Sequence, residues 1–198
     1  MEFKVIGLCG GSGSGKGVVS SIFAKHGYLA IDTDAVYREI TNRKTPCLDA
    51  LVLKFGDEIL NQEGTLDRKK LGGIVFSDRE KLNALNTIAH KFILAEVRTL
   101  TENAKKENYR GVIVDAPLLF ESGFDSECDF VVAVIAMRDI RISRIIKRDD
   151  ITKEAAIKRI DSQTSDEYLI SKSDFVIENN LDKEALDTAV EKIILNIN

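Results

Sequence analysis

The sequence predicts an α/β fold built on a doubly wound, five-stranded parallel sheet with a helical insertion. Three observations carry this expectation. Short runs rich in Val and Ile recur along the chain, and amphipathic stretches of helical period separate them. One long interval keeps the helical period and has no strand pattern.

The elements follow in order. Residues 3–9 form the first apolar run, and residues 28–31, 112–114, 130–135 and 175–177 form four more. Their apolar residues are nearly continuous rather than alternating, as in strands covered on both faces. Helices are expected at residues 18–24, after the first strand, and 138–147, after the fourth. A last helix at 183–197 sets Leu186, Ala189, Val190, Ile193, Ile194 and Ile197 on one face. Between about residues 35 and 108 only helical patterns occur, with Asp67 placed to cap a helix at 68–76 and Ser77 or Asp78 the next. The expected organisation is one domain: a core of about 1–34, 109–143 and 168–198, with a helical insertion of about 35–108.

Composition narrows the class. The formal net charge of −4, with no basic block, speaks against nucleic-acid binding. No apolar run approaches a membrane span, and the N-terminal residues lack a signal-peptide pattern. Cys9, Cys47 and Cys128 are scattered without CxxC spacing, as expected of reduced thiols. A cytoplasmic monomer or weak homo-oligomer is the expectation.

Gly10-Gly11-Ser12-Gly13-Ser14-Gly15-Lys16 fits GxxxxGK between a strand and a helix. Glycines let consecutive backbone N–H groups turn towards phosphate oxygens, the helix N-terminus adds positive potential, and the lysine reaches the β- and γ-phosphates. Gly11, Ser12, Gly13, Ser14, Gly15, Lys16, Gly17 and Val18 are therefore the candidate nucleotide contacts. A dinucleotide fingerprint fails in every frame: Gly11 and Gly13 would need glycine at Lys16, and Gly13 and Gly15 would need it at Val18. Gly17 stands where such loops usually carry a hydroxyl for Mg²⁺. That ion commonly keeps several waters and binds through substrate phosphates and one or two carboxylates, so a water-mediated metal is adequate.

Asp32-Thr33-Asp34 closes the second strand. Strand alternation would put both carboxylates on one side at the carboxyl edge of the sheet, where α/β ligands bind. One could orient and deprotonate an attacking hydroxyl while the other holds metal waters; the competing reading makes Asp34 a helix cap.

These residues carry a resemblance to the dephospho-CoA kinases. The loop GGSGSGK and the pair Asp32-x-Asp34 resemble that family's loop and acidic pair. Gly64-Thr65-Leu66-Asp67-Arg68-Lys69-Lys70-Leu71 followed by IVFSD resembles the start of its helical CoA-binding region. Asp115-Ala116-Pro117-Leu118-Leu119-Phe120-Glu121 resembles its DxPLLFE segment. Arg144-x-x-x-Arg148-Asp149 with Arg159-Ile160-x-x-Gln163 resembles its lid, and Ser173 to Asn180 its final strand and turn; the resemblance thus makes about 35–108 a helical substrate-binding subdomain and about 144–167 a small helical lid on a P-loop core. Such segments, in order along nearly the whole chain, make the resemblance specific. GKG also occurs in adenylate-kinase-type loops, which points to small-molecule kinases.

The resemblance implies transfer of the γ-phosphoryl of ATP to the ribose 3′-hydroxyl of dephospho-CoA, with Mg²⁺. It makes Asp34 the base and the loop's nucleotide contacts, Lys16 among them, ATP ligands, and sets Arg144 and Arg148, one helical turn apart, at the transferring phosphate. Asp32 and Asp115 would hold the metal through water, with Asp32 also near substrate. His90, Pro117, Leu118, Leu119 and Glu121 are candidate substrate contacts, although core packing explains the apolar residues equally well and His90 fits an ordinary helical histidine. Besides Gly17, the chain departs from the pattern at Cys9, where threonine is common, and at Lys91, where His-Pro is usual. Arg138 and Arg141 have no support from the resemblance. The rival readings are another nucleoside or nucleotide kinase, and a non-catalytic nucleotide-binding regulatory protein.

Overall fold

The structure is a computed structural model that describes residues 2–42 and 44–197. Five strands form one sheet in the order β2-β3-β1-β4-β5: β1 (Lys4–Cys9), β2 (Tyr28–Asp32), β3 (Gly111–Asp115), β4 (Phe130–Ile135) and β5 (Phe175–Glu178). β1 pairs in parallel with β3 and with β4, and β4 in parallel with β5. The strands fall on the apolar runs of the sequence, and the middle residues of β1, β3 and β4 are buried, as in strands covered on both faces.

The chain forms two compact units, Met1–Ile31 with Thr101–Asn198, and Asp32–Leu100. In the first, α1 (Lys16–Lys25) and α9 (Lys183–Asn196) pack on the sheet. Val19, Ile22 and Phe23 of α1 and Leu186, Val190, Ile193 and Ile194 of α9 join Ile6, Leu8, Ile113, Val132 and Val134 in its core. Three more helices follow β4: α6 (Arg138–Asp149), α7 (Lys153–Asp161) and α8 (Asp166–Ser171). Ile142 and Ile145 of α6 meet Ala156 and Ile160 of α7 in a separate apolar cluster, which ties these two helices together.

The second unit carries α2 (Thr33–Thr41), α3 (Pro46–Phe55), α4 (Arg68–Val75) and α5 (Arg79–Lys106) as far as Leu100; the last turn of α5 belongs to the first unit. No strand occurs among the described residues of this interval, only a bridge between Leu60 and Leu66. Its core gathers Cys47, Leu48, Leu51, Ile59, Leu66, Leu71 and Val75. The Asp67 carboxylate accepts from Lys69 N–H and Lys70 N–H and caps α4. Asp78, not Ser77, accepts from the Glu80 and Lys81 amides at the start of α5.

Candidate functional site

β1 delivers the chain to Gly10, and α1 begins at Lys16, so the loop between them spans the carboxyl end of the central strand. Two glycines show why this composition is required. A Cβ on Gly11 would lie 2.0 Å from Arg141 Nη2. Gly15 has φ 99°, and its Cβ would lie 2.1 Å from Asn179 Nδ2, which donates to Ser14 O at 2.7 Å. Gly15 is also the N-cap of α1 and offers the first-turn amides no side-chain acceptor, which suits a helix start that receives an anion. The Ser14 Oγ is fully buried, with no hydrogen-bond partner among the described residues.

Lys16 bends back along the loop. Its Nζ donates to Gly10 O at 2.9 Å and lies 3.8 Å from Oδ1 of Asp115, the last residue of β3. Gly17, at the second position of α1, is exposed, and a Cβ there would meet nothing within 4 Å. Cys9 Sγ sits 3.6 Å from Ser173 Oγ. Burial pushes the Cys9 thiol up from its ordinary value, against the opposing hydrogen bond from Ser173 and the charge of Lys16.

Arginines of α6 close on the loop from one side, at spacings of three and four residues that share a helix face. Arg144 donates from Nη1 to Gly13 O at 3.2 Å and Ser14 O at 3.4 Å, and from Nη2 to Asn179 O at 3.1 Å. Its guanidinium braces loop carbonyls. Arg148 is more exposed; its Nη2 donates to Ser12 Oγ at 3.2 Å and to Asp149 Oδ2 at 2.9 Å. Asp149 also accepts from Arg159 Nη1. The hydrogen bond from Arg148 leads, with Arg159 adding to it, in holding the Asp149 carboxyl down to about 2.

Between these residues lies a formed phosphate loop, a lysine, a strand-end carboxylate and a row of arginines. A family model described as Dephospho-CoA kinase matches residues 4–184, which takes in all of them. The chain belongs to the dephospho-CoA kinase family. A dephospho-CoA kinase of Fusobacterium nucleatum is 42% identical over 192 residues, covering 97% of both chains. Among solved structures, a protein from Thermus thermophilus aligns with TM-score 0.82 and 28% identity over 100% of both chains. The dephospho-CoA kinase from Campylobacter jejuni aligns with TM-score 0.70 and 28% identity, over 98% of this chain and 96% of its own.

The family's remaining segments are placed as follows. In the DxPLLFE segment, Pro117 and Leu118 are exposed while Leu119 is fully buried, so the segment divides between surface and core. Glu121 is exposed, and its Oε1 accepts from Thr164 Oγ1 at 3.2 Å, linking the segment to the turn before α8. His90 is half-buried on α5, in the second unit.

The acidic pair requires a correction. Asp32 ends β2, and the helix begins at Thr33 without an intervening residue, so strand alternation does not relate the two carboxylates. Asp32, not Asp34, is the cap: its Oδ1 accepts from the Asp34 amide at 2.9 Å and the Ala35 amide at 3.2 Å. Asp34 lies in the first turn of α2 with its side chain exposed, whereas Thr33 is buried. The Asp34 carboxylate is therefore not consumed by capping.

A metal fits this donor set in one manner. Among the described residues, no three His, Cys, Asp or Glu side chains gather into a metal site. A strand-end carboxylate such as Asp115 suits a hard ion that keeps its waters and arrives on phosphates, and Gly17 contributes no hydroxyl.

The site residue that sequence reasoning passed over is Arg141. Only 5% of it is exposed, and it donates from Nε to Ser12 O at 3.0 Å. The one sequence signal was its spacing, three residues before Arg144 and seven before Arg148. Arg138, also set aside, pairs with Asp161 at 2.6 Å, and both side chains are about half exposed.

Proposed function

We propose that this chain transfers the γ-phosphoryl group of ATP to the ribose 3′-hydroxyl of 3′-dephospho-CoA, giving ADP and CoA, the last step of coenzyme A biosynthesis. The observation that carries this reading is the family match over residues 4–184, supported by identity with a curated dephospho-CoA kinase along nearly the whole chain.

The roles follow from the chemistry. The loop amides and Lys16 hold the ATP phosphates, and Gly11, Ser12, Gly13, Ser14, Gly15, Gly17 and Val18 form the cradle. The acceptor oxygen attacks the γ-phosphorus, the bond to the β-bridging oxygen breaks, and ADP leaves. Asp34 takes the hydroxyl proton and returns it to solvent. The transition state is loose, so orientation of the hydroxyl counts for more than basicity, and an ordinary carboxylate suffices. Arg148 and Arg144 supply positive charge beside the phosphates, and Arg144 does so while bracing Gly13 and Ser14. Asp115 and Asp32 are the residues that would hold the waters of an Mg²⁺ arriving with ATP, which would supply neutralisation of phosphate charge. His90, Pro117, Leu118 and Glu121 contact the CoA moiety, whereas Leu119, fully buried, serves the core instead. The segment of about 144–167, from Arg144 on α6 through α7 to the start of α8, forms the lid, whose closure excludes water and limits hydrolysis of ATP.

In the same reading the protein works in the cytoplasm, as a monomer or weak homo-oligomer on small-molecule substrates. Its free cysteines and negative net charge support this. Among the described residues, no helix is long and apolar enough to cross a membrane. The test is ADP production from ATP and Mg²⁺ over a panel of acceptors. Stimulation by dephospho-CoA above every nucleoside and nucleotide is expected; stimulation only by a nucleoside or nucleotide would replace this reading with the rival kinase.

A further inference from the structure

Arg141 does something the proposed chemistry does not use. It sits on the inner face of α6 with 5% of its surface exposed, and its three guanidinium nitrogens point to three different residues. Nε donates to Ser12 O at 3.0 Å. Nη1 donates to both carboxylate oxygens of Asp166, at 3.1 and 3.3 Å. Nη2 donates to Gln163 Oε1 at 3.0 Å, and that oxygen also accepts from Ser12 N–H at 2.9 Å. Both backbone polar groups of Ser12 are thus held by one connected pair of side chains. Gly11 leaves the space through which Nη2 enters.

A buried guanidinium is costly unless its protons and its charge are both matched. Here all three nitrogens have acceptors, and Asp166 supplies the opposite charge. Such a pair is weak as a stability device, since an apolar replacement often does as well. Its value lies in direction. The planar fork fixes the loop, Gln163 and Asp166 at set angles, which the single point charge of a lysine does not reproduce.

We propose that Arg141 is a positioning residue: it sets the phosphate loop at Ser12 and couples it to the turn between α7 and α8. Movement of that turn is transmitted to the loop through Gln163 and Asp166, so the lid segment and the nucleotide cradle adjust together. The inference rests on the ATP-binding reading of the loop, but its direct physical content, the anchoring of Ser12, is measurable without turnover.

The test compares the parent protein with Arg141→Lys, Asp166→Asn and Gln163→Leu. ATP affinity is measured calorimetrically with Mg²⁺, KM for dephospho-CoA is measured at saturating ATP, and exchange of the Ser12 amide is followed by NMR without nucleotide. Arg141→Lys is expected to weaken ATP binding about tenfold or more, while KM for dephospho-CoA stays within about twofold. Ser12 amide exchange should accelerate about tenfold, because Gln163 loses the donor that orients it. Asp166→Asn and Gln163→Leu should act in the same direction, several-fold. A merely structural role would lower the melting temperature without this selectivity for ATP.

A folded Arg141→Lys protein whose ATP affinity and Ser12 exchange both stay within about twofold of the parent overturns the proposal. If that variant does not fold, the other two decide, and unchanged ATP affinity in both overturns it equally. A parent that does not bind ATP overturns the reading of the loop instead, and Ser12 exchange then still decides whether Arg141 anchors it.

Discussion

Substituting Gly17 with Ser restores the hydroxyl that phosphate loops usually carry, and the structure allows its effect to be worked out. A Cβ at Gly17 meets nothing within 4 Å, and the position is exposed, so overpacking contributes no penalty. Gly17 is the second residue of α1, where replacing glycine removes backbone freedom from the unfolded chain and gains about 0.5 kcal/mol. For a chain of this length that corresponds to a rise in melting temperature of about 1–2 °C. If the new oxygen replaces one water around Mg²⁺, the gain is of hydrogen-bond size, about 1 kcal/mol, or about a fivefold drop in the Mg²⁺ concentration for half-maximal activity. The assay is ADP release at saturating ATP and dephospho-CoA across a Mg²⁺ titration, beside a thermal melt. A variant that melts no lower than the parent yet needs as much Mg²⁺, or more, would refute the view that this position shapes the metal shell.

Three further outcomes are expected. Asp34→Asn should reduce kcat about 10²- to 10⁴-fold and leave ATP affinity within about threefold; retention of full turnover would remove Asp34 as the base. Gly15→Ala should destabilise by about 2–5 kcal/mol, because it forces a side chain onto φ 99° and displaces the buried Asn179 amide from Ser14 O; a loss below about 1 kcal/mol in urea unfolding would contradict that packing. Burial pushes the Cys128 thiol up to about 12, with help from nearby carboxylates, and the Cys47 thiol up to about 11. Folding thus favours the neutral thiols, so their contribution is complete below the ordinary thiol value of 9.0 and is lost as pH rises through about 11 to 12. The urea midpoint should fall across that window, and Cys47→Ala with Cys128→Ala should flatten the fall; an unchanged slope would refute the assignment.

The parts legible in the sequence were those whose signal is local. Strands covered on both faces leave unbroken apolar runs, and β4 was placed to the residue because Phe130 to Ile135 has no polar interruption. The phosphate loop declares itself because only glycine tolerates Gly15's backbone angle and the approach of Arg141 to Gly11. The acidic pair was misread because Asp32 and Asp34 are both good capping residues, and choosing between them requires knowing that helix replaces strand at Thr33. Arg141 was invisible for a different reason. A charged residue on an amphipathic helix reads as solvated, and its burial depends on partners at Ser12, Gln163 and Asp166 that only the fold assembles. Asp149 is a partial case: its low carboxyl value comes first from its sequence neighbour Arg148, and the added share of Arg159 comes from the next helix.

The central claim is that this chain makes CoA, and product formation tests it most directly. Incubation with equimolar ATP and dephospho-CoA in Mg²⁺, resolved by chromatography and mass, should convert dephospho-CoA into a species heavier by one phosphate on the ribose 3′-oxygen. ADP should appear in one-to-one proportion. ADP released without any change in dephospho-CoA, or dephospho-CoA left intact while another acceptor is phosphorylated, would contradict the account.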